Sequence, residues 1–222
     1  DRVGMVGMKY DKCGGMAVLG VMQAVARMKL PTPVVGVIAA AENMISGGAY
    51  RPNDTITTMS GKTVEIISAD AEGRLVLADA LTYAQREYQP RCMIDLATLT
   101  GGVLVALGNL RAGLMGNHEP LLDGLMSVGE RTHERLWNLP LDDEYFDLIS
   151  GDDSDFKNSA DRAAHAIIGG IFLKQFVDKS VPWAHLDIAA TGSSDKDTAY
   201  CPKGATGFGV RLLMEYLMSL GA

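Results

Sequence analysis

Segments of helical length alternate with short, continuously apolar runs along most of this 222-residue chain. Runs of strand length cover 34–41, 92–100 and 183–190, and segments with helical length and apolar spacing cover 16–28, 72–88, 121–136, 163–177 and 207–220. An apolar run without polar alternation is typical of a strand that is buried on both faces of its sheet. The pattern therefore predicts an α/β fold, with a mixed, mostly parallel central sheet covered by helices on both faces.

A predicted β-hairpin interrupts this alternation. The segments 55–59 and 63–67 are rich in Thr and Ile, and they flank the turn sequence SGK at 60–62. Long polar loops also break the pattern, at 45–54, 151–162 and 191–207. Loops of this size in a compact domain are usually functional or lie at an interface.

Composition and charge limit the classes of function. The chain is 47% hydrophobic and 21% charged, which is typical of a globular protein. Its length suits one domain with a single sizeable core. The formal net charge of −7 lacks the basic character that binding to nucleic-acid phosphates requires, so nucleic acid is not an expected partner.

Cysteine usage and the distribution of apolar residues indicate the compartment. The three cysteines include no CxxC pair, which argues against a disulfide framework or a thiolate zinc site and favours a reducing environment. No apolar run approaches the roughly 18 residues that span a bilayer, and the first residues are charged where a signal peptide would be apolar. We therefore expect a soluble, cytoplasmic protein with no membrane partner. Because the chain begins with Asp1 in mid-pattern, we also expect a fragment.

The strongest candidate for chemistry is the segment SADAEGRL at 68–75. If the chain is still extended as it leaves the strand at 63–67, the side chains of Asp70 and Glu72 point in the same direction and present two carboxylates to one spot. Hard divalent cations bind to such oxygen ligands. Arg74 follows in the first turn of the next helix, where its guanidinium is suited to an anion or a developing oxyanion.

Simpler roles remain open for the acidic residues. Asp70 and Glu72 could cap the following helix, because acidic groups complement the positive end of the helix dipole. Asp11 precedes the first helix and could likewise be an N-cap. Two further acids compete as candidates: Asp54 lies in a turn, and Asp95 lies on a buried strand, where it needs a polar partner.

The other nucleophilic and metal-binding residue types form no motif. The four histidines are scattered singly, which is more typical of structural or solvated residues than of catalytic ones. Cys13 is close in sequence to Lys9 and Lys12, whose charges would lower the pKa of its thiol. No histidine is near it to act as a base, so we expect no nucleophilic cysteine.

Several ordered segments resemble the leucyl aminopeptidase (cytosol aminopeptidase) family of two-metal exopeptidases. SADAEGRL at 68–75 is similar to the family signature NTDAEGRL, and MKYDKCGGMAV at 8–18 is similar to the family pattern MKxDMxGAAAV. Further matches occur in the family's order: RPNDTITTMSGKTVEI, LADAL, IDLATLTG, WAHLDIA and KGATGFGVR. The resemblance covers nearly the whole chain and favours the metal-site interpretation over capping.

The resemblance implies a set of site residues. Asp11, Asp70 and Glu72 would be metal ligands, with Glu72 bridging two divalent ions, and Arg74 would be the catalytic arginine that holds a bicarbonate ion. The ions would be Mn²⁺ or Zn²⁺, and Mg²⁺ is also compatible with an oxygen-rich site. Two such ions can activate a bridging water and polarise the scissile carbonyl. The implied substrate-binding residues run along the substrate backbone or line the apolar pocket for its first side chain: Met8, Thr98, Leu99, Gly101, Ala189 and Gly192.

The chain also departs from the family pattern. Lys12 and Cys13 stand where the family usually has apolar or small residues. The VGKG and FDSGG motifs, which in the family supply a lysine and a bridging aspartate as metal ligands, do not occur here, and neither do the catalytic lysine after them and the amino-terminal domain. We therefore expect residues 1–222 to be the carboxyl-terminal catalytic domain of such an aminopeptidase, inactive on its own.

For the parent protein, the resemblance implies removal of amino-terminal leucine or other apolar residues from peptides. It also implies a homo-oligomer, a hexamer of threefold dihedral symmetry, with the loops 45–54 and 191–207 as candidate contact surfaces. The alternative is a catalytically dead structural or assembly module with the same fold. DNA binding, known for some bacterial relatives, is disfavoured by the net charge of −7.

Overall fold

The computed structural model describes residues 5–221. The helices are α1 (Cys13–Met28), α2 (Gly73–Tyr88), α3 (Gly101–Leu107), α4 (Glu119–Thr132), α5 (His165–Lys174) and α6 (Val210–Ser219). The strands are β1 (Thr55–Thr57), β2 (Thr63–Glu65), β3 (Met93–Ala97), β4 (Ala112–Gly116), β5 (Leu136–Asn138), β6 (Phe156–Lys157), β7 (Trp183–Asp187), β8 (Ser193–Ser194) and β9 (Gly204–Ala205). Short 3-10 helices span Met8–Tyr10 and Asp143–Ile149.

The central sheet has four strands in the order β3-β7-β4-β5. β3 pairs with β7 in parallel and β4 pairs with β5 in parallel, whereas β4 and β7 are antiparallel. The predicted α/β class and the mixed, mostly parallel sheet are therefore confirmed. The sequence pattern missed β4 and β5, because their short segments AGLMG and LWN lack the length of an apolar run.

Helices cover both faces of this sheet. On one face, α1, α4 and α6 pack over Leu96, Leu114 and Leu186. On the other face, α2 and α5 enclose a core that includes Met93 and Trp183. Burial on both faces explains why these strands consist of continuously apolar residues.

The predicted hairpin forms a second, smaller sheet. β1 and β2 pair antiparallel, with Ile56 opposite Val64, and β6 adds to β2 in parallel. Gly61 in the turn has a φ of +87°, a conformation that residues with side chains rarely adopt. This sheet leads the chain from β2 into the loop that precedes α2.

The predicted strand at 34–41 does not form. This segment lies in neither a helix nor a strand. Its apolar side chains are not all buried, since Val35 and Ile38 are 54% and 40% exposed. Within residues 5–221, β3 is an edge strand, and a cavity separates it from this segment. An apolar run becomes a strand only when a neighbour supplies hydrogen-bond partners for its backbone. The prediction is wrong because no described strand lies beside it.

The five predicted helices are confirmed, with ends shifted by a few residues. α1 begins at Cys13 rather than Met16, and α4 ends at Thr132, before β5. The apolar run at 92–100 contains β3 and leads directly into α3, which the sequence pattern missed. In the part of the chain that the structure describes, no helix has the length and apolar character needed to cross a membrane.

Candidate functional site

A cavity of about 2080 Å³ lies between β3, the start of α2 and the segment 31–44. Most residues that were expected to form the site line its wall: Met8, Asp11, Asp70, Glu72, Arg74, Thr98, Leu99 and Gly101. Residues from three separate parts of the sequence therefore meet at one cavity. Ala189 and Gly192 do not line it: Gly192 packs against Thr98, and Ala189 is connected to Leu99 through the Asp187 carboxylate.

The loop between β2 and α2 carries Asp70 and Glu72, and it is not extended. The chain turns after Ser68, where the Ala71 amide donates a hydrogen bond to the Ser68 carbonyl at 3.2 Å. Glu72 has φ −79° and ψ −33°, which is right-handed helical backbone. The assumption that both carboxylates project from one side of a strand is therefore wrong, because the strand ends at Glu65 and the backbone turns.

The three carboxylates are nevertheless close enough to influence one another. Burial raises the pKa of Glu72, and the charges of Asp11 and Asp70 raise it further, although a backbone hydrogen bond and the Arg74 guanidinium oppose this shift. Burial also raises the pKa of Asp11. A hydrogen bond from Thr98 lowers this pKa, and the charge of Asp70 raises it further. Like charges in a partly desolvated place favour protonation or the binding of a cation.

These carboxylates have the oxygen chemistry that Mn²⁺ and Mg²⁺ prefer and that Zn²⁺ accepts. Within residues 5–221, however, no group of three His, Cys, Asp or Glu side chains converges closely enough to hold a metal ion. The described residues by themselves therefore form no complete metal site.

Helix capping does not explain Asp11 or the carboxylate of Glu72. The N-cap of α1 is Lys12 rather than Asp11. Glu72 is the N-cap of α2, but its side chain makes no capping hydrogen bond. The capping alternative is therefore wrong for Asp11 and for the carboxylate of Glu72.

Arg74 lies in the first turn of α2, and its side chain is buried. One terminal nitrogen donates a hydrogen bond to the Asn158 carbonyl at 2.8 Å, and the guanidinium lies over the Phe172 ring at 5.9 Å. Burial lowers the pKa of Arg74 to about 10, although the charges of Asp187 and Glu72 oppose the shift. Its Nε has no hydrogen-bond partner in the described chain. A buried cation with an unused donor is suited to an anion.

Asp187, at the carboxyl end of β7, connects the segments that were expected to bind substrate. Its Oδ1 accepts hydrogen bonds from the Leu99 amide at 3.1 Å and the Ala189 amide at 3.2 Å, and its Oδ2 accepts one from the Thr100 hydroxyl at 2.6 Å. Sequence reasoning missed this residue. The sequence contained a signal for it: like Asp95, Asp187 is an acid within a buried, apolar strand, and a buried carboxylate requires hydrogen-bond donors.

The remaining predicted substrate residues surround Asp11 and Thr98. The Thr98 hydroxyl donates a hydrogen bond to Asp11 Oδ1 at 2.8 Å. Gly192 is buried against this pair, since a Cβ there would lie 3.3 Å from the Thr98 methyl carbon. Met8 is 51% exposed in the short helix before Asp11, and Gly101 begins α3.

The competing candidates have structural contacts instead. Asp95 accepts hydrogen bonds from the Trp183 indole at 2.7 Å and pairs with His185 Nδ1 at 2.5 Å, which supplies the polar partner that a buried acid needs. Asp54 accepts a hydrogen bond from the Arg51 amide in a turn. Burial raises the pKa of the Cys13 thiol, and the charge of Asp11 adds to this. Lys12 lowers the pKa as expected, but burial and Asp11 outweigh it.

Known proteins resemble this chain over most of its length. Residues 1–214 match the model of the catalytic domain of the cytosol aminopeptidase family. Probable cytosol aminopeptidases from Rickettsia rickettsii (strain Sheila Smith) and Geotalea uraniireducens (strain Rf4) are 51% and 54% identical, over 95% and 99% of this chain but 42% and 44% of their own lengths.

A solved structure of a mutant of tomato leucine aminopeptidase superposes with a TM-score of 0.85 at 40% identity, covering 93% of this chain and 40% of that one. The chain thus spans less than half the length of the relatives that it matches. Both the matched residues and the shared fold show that the chain belongs to the cytosol aminopeptidase family.

Proposed function

We propose that this chain supplies part of the active site of a metal-dependent aminopeptidase that removes amino-terminal leucine or other apolar residues from peptides. The observation that carries the proposal is the meeting of Asp11, Asp70 and Glu72 with the buried Arg74 on the wall of one cavity. The three carboxylates are suited to binding a metal ion, and the buried guanidinium of Arg74, which has an unused donor, is suited to binding an anion.

Asp11, Asp70 and Glu72 would hold divalent ions together with ligands from outside residues 5–221. Mn²⁺ or Zn²⁺ would supply the activated water and polarise the scissile carbonyl. Arg74 would orient an anion such as bicarbonate with its Nε–H, because that donor is buried and unused. The fixed position of its guanidinium, held by the Asn158 carbonyl, means that little reorganisation would be required during the reaction.

The backbone from Thr98 to Gly101 would run along the peptide substrate. Asp187 binds both this backbone and Ala189 through the same carboxylate oxygen, so the two segments are held in fixed relative positions. Met8, Ala189 and Gly192 would shape an apolar pocket for the first side chain of the substrate. Such a pocket favours leucine over charged residues because its apolar surface cannot compensate a buried charge.

The proposed role of residues 1–222 is that of the carboxyl-terminal catalytic portion of a longer, cytoplasmic protein. The relatives extend well beyond the matched region. The cavity along the edge strand β3 would receive residues from the rest of the protein, including a metal-binding lysine and aspartate and a catalytic lysine. On this proposal the 222 residues are inactive alone.

The test is hydrolysis of leucine anilide with saturating Mn²⁺ or Zn²⁺, first by this chain and then after addition of an upstream segment that carries the lysine and aspartate motifs. We expect activity only in the second case. We expect Glu72→Ala to abolish it and Glu87→Ala, at the exposed far end of α2, to retain it. Activity of the chain alone that Glu72→Ala removes would contradict the fragment proposal. A completed chain that folds but never hydrolyses peptides would favour the alternative, a structural or assembly module.

Self-association is a separate part of the proposal. A hexamer would bring the loops 45–54 and 191–207 into contact with neighbouring subunits. Sedimentation at micromolar concentration should detect oligomers of the folded chain, whereas a well-folded, strictly monomeric species would contradict this expectation.

A further inference from the structure

Asn158, immediately after β6, is completely buried and binds to a single loop. Its Oδ1 accepts hydrogen bonds from the amides of Ile67 at 2.8 Å and Ser68 at 3.2 Å. Its Nδ2 donates to the carbonyls of Ser68 at 2.7 Å and Ala71 at 3.2 Å. An asparagine amide offers two donors and two acceptor positions, so every one is used on the backbone of this loop.

The backbone of Asn158 holds both sides of the same loop. Its amide donates a hydrogen bond to the Glu65 carbonyl at 2.9 Å, where β2 ends. Its carbonyl accepts the hydrogen bond from Arg74 at 2.8 Å, where α2 begins. One residue, more than 80 positions away in the sequence, therefore contacts the loop from its entry to its exit.

This loop carries Asp70 and Glu72, and its turn would be costly without these contacts. The carbonyl of Ser68 and the amides of Ile67 and Ser68 lie in part-buried surroundings, where an unpaired polar group typically costs about 1–3 kcal/mol. An aspartate at 158 would keep the acceptors but replace two donated hydrogen bonds with carboxylate–carbonyl repulsion. No other side chain of similar size can serve two amides and two carbonyls together.

We propose that Asn158 is a positioning residue: its side chain sets the shape of the 67–72 loop, its backbone carbonyl sets the direction of the Arg74 guanidinium, and both thereby set the reactivity of the site. The proposal rests on the proposed function for the statement that this loop carries reacting groups. The substrate segments are held separately, since Leu99, Thr100 and Ala189 hydrogen-bond to Asp187 and not to Asn158. Loss of Asn158 should therefore impair turnover more than substrate binding.

Asn117 provides a matched control. Its Oδ1 accepts a hydrogen bond from the Trp183 amide at 2.7 Å and its Nδ2 donates to the Val181 carbonyl at 3.0 Å, at the start of β7. It therefore also binds two strand-end backbone groups through its amide. It does not line the cavity.

The first measurement is NMR of the 222-residue chain with Asn158→Asp, Asn158→Ala or Asn117→Ala. We expect amide hydrogen exchange at Ile67 and Ser68 to accelerate more than tenfold in Asn158→Ala. The Arg74 Nε–H resonance should shift in both Asn158 variants, because the backbone carbonyl at 158 that accepts from Arg74 moves when the side chain no longer binds the loop. Neither change should occur in Asn117→Ala. Wild-type exchange and an unmoved Arg74 resonance in both Asn158 variants would overturn the proposal, and this result does not depend on catalysis.

The second measurement is peptide hydrolysis by the chain completed with the upstream segment. Asn158→Asp should lower kcat about 10–100-fold, the range for residues that orient catalytic groups, and change KM less than about threefold. Asn117→Ala should change kcat less than about twofold on the same reasoning. Equal losses of kcat in Asn158→Asp and Asn117→Ala, or an effect of Asn158→Asp confined to KM, would overturn the positioning role. Absence of hydrolysis by the unsubstituted completed chain would instead refute the proposed function, and the NMR result would then decide the role of Asn158.

Discussion

The hydroxyl of Thr100 donates a 2.6 Å hydrogen bond to Oδ2 of Asp187, which ties the segment after β3 to the end of β7. The other oxygen of the same carboxylate accepts hydrogen bonds from the amides of Leu99 and Ala189. Asp187 is fully buried and lies on the side of the sheet where Arg74 is also buried. One carboxylate therefore determines the relative positions of two segments that line or support the candidate site.

We expect Asp187→Ala to lower the free energy of unfolding by about 3 kcal/mol. Removal of the carboxylate leaves several buried donors unpaired, each at a typical cost of about 1–3 kcal/mol. Urea denaturation measures the loss. Asp178→Ala is the control, because Asp178 accepts two hydrogen bonds from Ser180 but is solvent-exposed. A loss for Asp187→Ala no larger than that of the control would contradict the assigned role.

Asp70→Ala and Glu72→Ala should each abolish turnover of the completed enzyme with little unfolding. Replacing a residue that only supports a metal ligand costs about 10–100-fold, and loss of a ligand should exceed this range. Stability should hold because each substitution removes one member of a group of mutually repelling carboxylates. Initial rates in metal-replete buffer and thermal melts provide the two readouts. A retained rate above roughly a tenth of the wild-type value, on that scale, would refute the assignment.

Gly14→Ala should destabilise the chain by about 1–3 kcal/mol, the usual cost of an overpacked core. A methyl group at Gly14 would overlap the backbone carbonyl of Leu96, so α1 must move away from β3. Gly47→Ala is the matched control, since a Cβ there has no neighbour within 4 Å. Chemical denaturation of both variants measures the difference, and equal stabilities would show that α1 does not pack this tightly on β3.

The pH dependence of stability should contain a contribution from His185. Burial alone would lower the pKa of this imidazole, but the charge and hydrogen bond of Asp95 outweigh burial and raise the pKa above its ordinary value of 6.5. A folded-state pKa above the unfolded value means that the folded state binds the proton more tightly. The resulting stabilisation is complete below pH 6.5 and is lost as the pH rises through the folded-state pKa.

Across this pH window His185 should therefore contribute a decrease in the unfolding free energy with increasing pH, and His185→Gln should remove that contribution whatever its effect on absolute stability. His133→Asn, at an exposed position with a positive φ that asparagine tolerates, is the control and should leave the slope intact. An unchanged slope in His185→Gln would show that His185 does not titrate in this way.

The sequence by itself determined the α/β class, the five predicted helices, the hairpin and the family. Helices and strands buried on both faces can be predicted from the local sequence, because the spacing of apolar side chains must match the period of the element. The hairpin is equally local, since Gly61 supplies the positive φ of its turn. The resemblance carried by SADAEGRL identified residues that the structure then places on one cavity wall.

Only the tertiary structure decided how those residues are held. The run at 34–41 has the composition of a strand, but a strand also needs a neighbour, and local composition does not record one. Asp70 and Glu72 come together through a turn rather than an extended strand. Asn158, at the end of β6, binds the backbone of that turn. Asp187 and Asn158 act through hydrogen bonds that span more than 80 residues, and such contacts exist only once the chain has folded.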